Sequence, residues 1–277
     1  MPPSFDEMLL CPVCSANLRG SGTRRLECGA GHRFDAARQG YFNLLSGRGT
    51  GFTPDSAAMV QARIDFLARG HYQPLADTVA EAVVAHVGRE PVILDAGAGT
   101  GYYLDSVLRR THAARPIALD ISKFALRRVA KAIPDGVSLV WDVWRTLPVA
   151  DQCVDATLNV FAPRNGPEFH RVTRAGGILV VATPLPGHLR EIREAFSMLG
   201  IRQDKAADVA QGLDGLFERQ ALARVEFTMN LTPGDALNVA LMGPAGHHAE
   251  RVARQPDLHD GVAVTAAFTV QTFRRKA

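Results

Sequence analysis

The 277-residue chain lacks long apolar runs, a basic leader and any strong excess of one charge. No stretch reaches the ~20 consecutive apolar residues that a bilayer span requires, so neither a transmembrane helix nor a membrane partner is expected. Met1 to Leu10 holds two acids and no basic region ahead of an apolar segment. That argues against a secretory leader and for a cytoplasmic location. Lys and Arg total 31 against 28 Asp and Glu, a formal net charge of +3, so a polyanionic partner must be argued from where the charges sit rather than from their sum. Internal repeats are absent, which excludes solenoids and propellers. Cysteine occurs only four times, too rarely for a disulfide scaffold, and in a reducing compartment clustered thiols read as metal ligands. The length allows one large domain, or a domain with a small module.

Three of the four cysteines are clustered, in Cys11-Pro12-Val13-Cys14 and Cys28-Gly29-Ala30-Gly31-His32, a C-x2-C-x13-C-x3-H pattern. A Cys-x-x-Cys knuckle brings two thiolates to one metal, and a second pair on a facing turn completes a tetrahedron. Cys11, Cys14, Cys28 and His32 are therefore expected to hold a structural Zn²⁺, since a unit this small cannot build a sufficient core without one. Arg19, Arg24, Arg25, Arg33 and Arg38 make this segment basic, which suits either phosphate contact or a solvated surface.

The strongest remaining signal is Val92-Ile93-Leu94-Asp95-Ala96-Gly97-Ala98-Gly99-Thr100-Gly101. A short apolar run typical of a buried parallel strand feeds a glycine-rich turn and then a helix-compatible stretch. Glycine lets a ligand approach the backbone, and amides at the helix start are expected to face it. Pro116 to Asp120 reads as the next strand, ending in an acid placed to accept hydrogen bonds from ribose hydroxyls. Asp142 closes the strand after that. Three carboxylates at successive strand ends would line one crevice, where ligands bind in open α/β sheets.

The rest of the chain alternates strands and helices. Strands are expected at 92–95, 116–120, 137–141, 153–160, 177–183, 221–230 and 262–273. Helices are expected at 57–68, from Pro74 to about residue 87, and at 102–110, 122–132, 167–174, 187–199 and 236–241. The strand around 263–270 alternates as a half-exposed strand would. Cys153 reads as a core residue, and Arg127, Arg128 and Lys131 as a solvated helix face. His247-His248 beside Glu250 is better read as an exposed loop than as a second metal site. On packing grounds alone, Tyr72 would be an ordinary core or loop aromatic and His188 a helix-start histidine.

The D-x-G-x-G-x-G turn resembles motif I of the class I S-adenosylmethionine (AdoMet) methyltransferases. In chain order, the zinc pattern, Gly70 to Leu75, that motif, Asn159-Val160-Phe161-Ala162-Pro163-Arg164-Asn165, Ala182-Thr183-Pro184 with His188-Leu189, and Met242-Gly243-Pro244 together resemble the 23S rRNA (guanine-N1)-methyltransferases. The branch nearest is the one that includes the tylosin-resistance methyltransferase of macrolide producers. The resemblance implies a Rossmann-like α/β fold with a mostly parallel seven-stranded sheet, and a zinc-binding RNA-recognition module at residues 1–45. A linker with helices at 46–90 and an AdoMet domain at 91–277 would follow. It also implies that Gly97, Gly99, Thr100, Gly101 and Tyr102 lie around AdoMet and that Tyr72 and His188 contact it. The strand-end acids Asp95, Asp120 and Asp142 join that cofactor set on the crevice argument above. The implied partner is a guanine in a 23S rRNA hairpin loop lining the peptide exit tunnel, and a homodimer is expected. This chain departs from the branch in having Ala245-Gly246-His247-His248 where relatives carry a Trp-containing segment.

Asn159, Arg164 and Asn165 follow the fourth strand, where related enzymes hold the acceptor, and are candidates to bind base or phosphate. Two other readings remain: a non-catalytic zinc RNA-binding protein with a vestigial cofactor fold, which the intact glycine series opposes, and a small-molecule methyltransferase, for which a basic zinc module has no use.

Overall fold

The computed structural model describes residues 5–20, 24–45, 50–196, 198–201, 205–248 and 261–277. Two sheets form. The N-terminal one is antiparallel, with β1 (Leu18–Arg19), β2 (Arg25–Cys28) and β3 (Arg33–Asp35) in that order. The larger sheet contains β4 (Phe42–Asn43), β5 (Val92–Ala96), β6 (Arg115–Asp120), β7 (Val137–Val140), β8 (Val154–Val160), β9 (Thr173–Pro184), β10 (Phe217–Leu231) and β11 (Val262–Arg275). Its order is β10-β11-β9-β8-β5-β6-β7-β4; β4 through β9 run parallel, and β11 is antiparallel to both β9 and β10. The seven strands from β5 onward match the expected sheet. The eighth, β4, comes from the zinc segment: Phe42 pairs with Leu139 and Asn43 with Val140.

Helices cover both faces, so every residue of β5 is buried and the strand reads as an unbroken apolar run. Val92, Leu94 and Ala96 face one core, shared with Leu119 and Leu139. Ile93 faces the other, with Val79 of α2 (Gln73–Val84), Leu104 of α3 (Tyr102–Leu108) and Leu126 of α4 (Lys123–Ala132). Leu9, Leu18 and Leu26 of the zinc segment join the first of these cores. Backbone bonds from Leu10 N–H to the Pro148 carbonyl (3.0 Å) and from Ala150 N–H to the Met8 carbonyl (2.8 Å) add to the union. The metal module is therefore packed as part of the main body.

Local rules explain most boundaries. α1 spans Ala57–Ala68, and Ser56 caps it by accepting from Met59 N–H. Pro74 sits in the first turn of α2. α7 (Pro233–Leu241) starts on a Thr232–Asp235 capping box. Three expectations fail. Residues 187–199 do not form a helix: successive turns run from 186 to 196, because Leu189 takes a left-handed backbone (φ 57°) and the Arg193 guanidinium bonds the carbonyls of Pro186 and His188. β11 is not half-exposed, since both of its faces are covered: Phe268 lies in one core, and on the other face Phe273 lies in the second core and Gln271 is buried against the Ala206 carbonyl. Residues 173–174 belong to β9 rather than to α5 (Gly166–Val172). The helix α6 (Lys205–Gly212) was not expected; it buries only Val209. Among the described residues no helix is long and apolar enough to cross a membrane.

Candidate functional site

The metal pattern closes as its spacing requires. The ligand atoms of Cys11, Cys14, Cys28 and His32 all lie within 4.8 Å of one another. Cys14 Sγ and Cys28 Sγ are 3.7 Å apart, and His32 Nδ1 is 3.5 Å from Cys11 Sγ and 3.4 Å from Cys28 Sγ. A tetrahedral Zn²⁺ with ordinary Zn–S and Zn–N bonds has S···S edges of about 3.8 Å and S···N edges of about 3.6 Å. The residues present fit the ion, with His32 binding through Nδ1. Gly31 makes the second knuckle at φ 83°, and its N–H bonds the Cys28 carbonyl (2.9 Å). The module's charge is partly spent: Arg25 pairs with Asp35 (2.8 Å) and Arg33 with Glu27 (3.1 Å), while Arg24 bonds the Ala37 carbonyl (3.0 Å).

The second site lies at the carboxyl ends of β5, β6, β7 and β8. The glycine turn after β5 is fastened to β6: Gly97 and Ala98 N–H groups both bond the Leu119 carbonyl (2.8 and 2.9 Å), and Gly99 N–H bonds Asp120 Oδ2 (2.8 Å). These three turn amides, and Gly101 N–H on the Ala98 carbonyl (2.8 Å), are thus used within the fold. Close approach is what the glycines provide. A Cβ on Gly97 would lie 2.3 Å from Ala162 Cβ, and one on Gly101 would lie 3.3 Å from Val129. A Cβ on Gly99 would meet only the Arg63 guanidinium, at 3.4 Å, leaving this the one glycine covered by a flexible side chain. Thr100 and Tyr102 are half-buried beside it, with Tyr102 Oη donating to Gln73 Oε1 (3.2 Å).

The three strand-end acids are brought together. Asp120 accepts from Gly99 and from Ser122 N–H (2.7 Å), one bond per oxygen, so each oxygen keeps acceptor capacity for ribose hydroxyls. Asp142 accepts from Thr50 Oγ1 (2.8 Å) and Trp144 N–H (3.0 Å). Asp95 is buried, and burial reinforced by the Asp120 charge raises its carboxyl to about 8.

Tyr72 and His188, 116 residues apart, meet in the same region: Tyr72 Oη lies 3.1 Å from His188 Nε2. Ala267 N–H donates to His188 Nδ1 (3.3 Å), which assigns the ring proton to Nε2 and makes Tyr72 Oη its acceptor. The tyrosine's own proton is then left to donate. Burial lowers His188 to about 3, so it is a neutral, fixed partner. The turns that replaced the expected helix are what direct His188 at Tyr72.

The segment after β8 divides its labour. Asn159 Nδ2 bonds the carbonyls of Ala96 (3.1 Å) and Pro163 (2.8 Å), and its Oδ1 is buried without a partner among the described residues. Asn165 is committed at both ends: Oδ1 caps α5 through Glu168 N–H, and Nδ2 bonds the Val143 carbonyl (2.9 Å). One N–H of Nδ2 and one lone pair of Oδ1 stay available for a ligand. Arg164 has no ion-pair partner among the described residues and bonds only the Ala162 carbonyl (3.5 Å).

Sequence reading missed Arg63. Its guanidinium pairs with Asp55 (2.7 Å) and donates to the Met242 carbonyl (2.6 Å), tying α1 and the Met242-Gly243-Pro244 segment over the glycine turn. No local pattern signals an Arg that acts across 179 residues. His247 and His248 are exposed, as expected; Glu250 lies outside the described residues. Among those residues the zinc cluster is the only metal-compatible group of three or more.

A parallel sheet with a glycine turn, ribose-ready acids at its strand ends and a four-ligand knuckle define an AdoMet-dependent class I methyltransferase carrying a zinc ribbon. Family models agree: residues 9–47 match the zinc ribbon described as "RlmA, N-terminal", and residues 93–177 match a methyltransferase domain. The YcgJ protein of Bacillus subtilis shares the fold, with a TM-score of 0.52 at 13% identity, over 72% of this chain and 98% of that one. The Streptomyces fradiae 23S rRNA (guanine(748)-N(1))-methyltransferase is 42% identical over 95% of each chain. A Micromonospora griseorubida protein provisionally named for the guanine-N1 activity is 42% identical over 99% of each. The chain belongs to the 23S rRNA (guanine-N1)-methyltransferase family.

Proposed function

We propose that this protein transfers a methyl group from AdoMet to N1 of one guanine in a 23S rRNA hairpin loop at the peptide exit tunnel, the counterpart of guanine 748, and that the modification gives tylosin-type macrolide resistance. The observation that carries the reading is the match along 95% of the chain to an enzyme named for that nucleotide. The intact glycine turn and zinc knuckle support it further.

AdoMet supplies an activated methyl on a sulfonium, so the protein's task is to position the reactants and exclude water. Asp120 and Asp142 bind the nucleoside part, Gly97, Gly99, Thr100, Gly101 and Tyr102 shape the floor, and Asp95, Tyr72 and His188 line the methionine side. N1 lies on the Watson–Crick edge, so the guanine must be unpaired and turned out. As the N1–methyl bond forms and the sulfonium bond breaks, the N1 proton leaves to a carboxylate or an ordered water. Arg164 and the free Asn159 Oδ1 serve the acceptor; Asn165 holds their loop. The zinc ribbon with Arg19 and Arg38 contacts the RNA backbone.

The working form in the cytoplasm is a homodimer. The long, open edge of β10 supports this, since an exposed edge strand invites pairing, and light scattering should return twice the 29.9 kDa chain mass. The activity is tested by incubating the protein with unmodified 23S rRNA and AdoMet and mapping the stop that an N1-methyl imposes on reverse transcription. A single stop at the guanine 748 counterpart is expected. No stop, or scattered stops, would refute the assignment.

A further inference from the structure

Phe161 is the one aromatic at the crevice that the fold holds in an unfavourable backbone and leaves open. It sits immediately after β8 with φ 54°, a left-handed conformation that a bulky side chain takes only where the surroundings enforce it. The enforcement is visible. Phe161 N–H bonds the Ala182 carbonyl (3.2 Å), Asn159 Nδ2 ties Pro163 back to Ala96, and Ala162 is pressed onto Gly97 so closely that no side chain fits there. The turn is thus fixed to β5 and β9 together. Its ring meets Tyr103 nearly edge-on (6.1 Å, 80°) and Tyr72 at 62° (6.5 Å), yet Phe161 remains 42% exposed. By contrast Phe268, which it also touches (5.5 Å), is fully buried. An exposed aromatic ring on a fixed turn beside the cofactor turn suits a flat, unpaired base, because every purine offers a π-face.

We propose that Phe161 is the stacking surface on which the extruded guanine rests while its N1 is presented to the methyl donor. This rests on the guanine-N1 reading above. Asn is the informative replacement because it tolerates a left-handed backbone while removing the ring.

The test compares wild type, Phe161→Asn, Phe161→Leu and Phe161→Trp in the full chain. Three readouts are taken: AdoMet affinity by calorimetry, methyl transfer to a 23S rRNA hairpin fragment, and the site of photo-crosslinking to a fragment carrying thioguanosine at the target position. The Asn and Leu variants should bind AdoMet within about twofold of wild type and lose about 10- to 100-fold in kcat/KM for RNA. Trp should restore transfer. The wild-type crosslink should map to the peptide containing Phe161 and vanish in the Asn variant. Unchanged transfer in the Asn variant overturns the proposal, as does a crosslink elsewhere, or a loss of transfer that merely follows lost AdoMet binding. Wild-type protein that yields no methylated guanine refutes the activity instead, and the crosslink still decides whether the base meets Phe161.

Discussion

Replacing Gly97 by Ala probes the joint on which both halves of the crevice depend. The backbone there has φ 94°, beyond the left-handed well at about +50 to +70°, and holding Ala at such an angle costs about 1–3 kcal/mol. The new methyl would sit 2.3 Å from Ala162 Cβ, where carbon atoms pack best at about 3.5–4.0 Å. Ala162 must move by more than an ångström, although Asn159 and the Phe161 amide hold its neighbours, and overpacking of this kind adds about 1–3 kcal/mol. Together these predict a loss of about 2–6 kcal/mol, a fall in Tm of roughly 5–20 °C for a domain of this size. Thermal melting with and without AdoMet is the assay. Gly99→Ala is the internal control: its φ of 52° costs Ala about 1–2 kcal/mol and its only new neighbour is Arg63, so it should lose only a few degrees of Tm, less than Gly97→Ala, yet bind AdoMet poorly. Ala162→Gly should rescue the steric part of the Gly97 defect and leave the backbone part. A Gly97→Ala variant melting within 2 °C of wild type (a bound set by the roughly 2–4 °C per kcal/mol of such domains), or one indifferent to Ala162→Gly, would refute the reasoning.

Further tests address the other parts of the site. Tyr72→Phe strands the His188 Nε2 proton in a buried setting, so stability should fall by about 1–3 kcal/mol and AdoMet binding should weaken; unchanged denaturant midpoints would contradict the pairing. Asp95, held near 8 by burial, is mostly protonated at pH 7, and a bound cation favours its charged form. AdoMet binding should therefore release protons at pH 7 and tighten as pH rises toward 8; calorimetry in buffers of different ionisation enthalpy reads this, and Asp95→Asn should abolish it. Zinc analysis should find one ion per chain, and chelation should cost the protein its RNA binding as the ribbon core of Leu18 and Leu26 opens. RNA affinity that survives complete removal of the metal would count against a structural zinc.

What could be read from the chain was whatever is local. Cys11, Cys14, Cys28 and His32 are found by spacing because two tight knuckles determine the ligand set. The glycine turn and the bounds of α1 follow from backbone rules that act over a few residues. Asn165 carried such a signal too: an Asn at the start of a helix-compatible stretch is an N-cap, which accounts for its Oδ1 on Glu168 N–H but not for its Nδ2 on the distant Val143 carbonyl. The rest depends on distant partners. Tyr72 and His188 pair across 116 residues, Arg63 reaches the Met242 carbonyl, and the amides of the glycine turn are used by Leu119 and Asp120. The 187–199 segment has helical composition, but Leu189 turns left-handed where Arg193 collects two carbonyls. β11 alternates like a surface strand but is covered on both faces: Ala266, Phe268 and Val270 join one core, while Phe273 joins the other and Gln271 bonds the Ala206 carbonyl of α6.

The central claim is that a sulfonium-borne methyl reaches N1 of a guanine held out of its stack. Its most direct measurement is nucleoside analysis of 23S rRNA after incubation with the zinc-loaded protein and methyl-labelled AdoMet. The account predicts that the label appears in 1-methylguanosine and in no other nucleoside. Label at another position, or in no nucleoside at all, would contradict it.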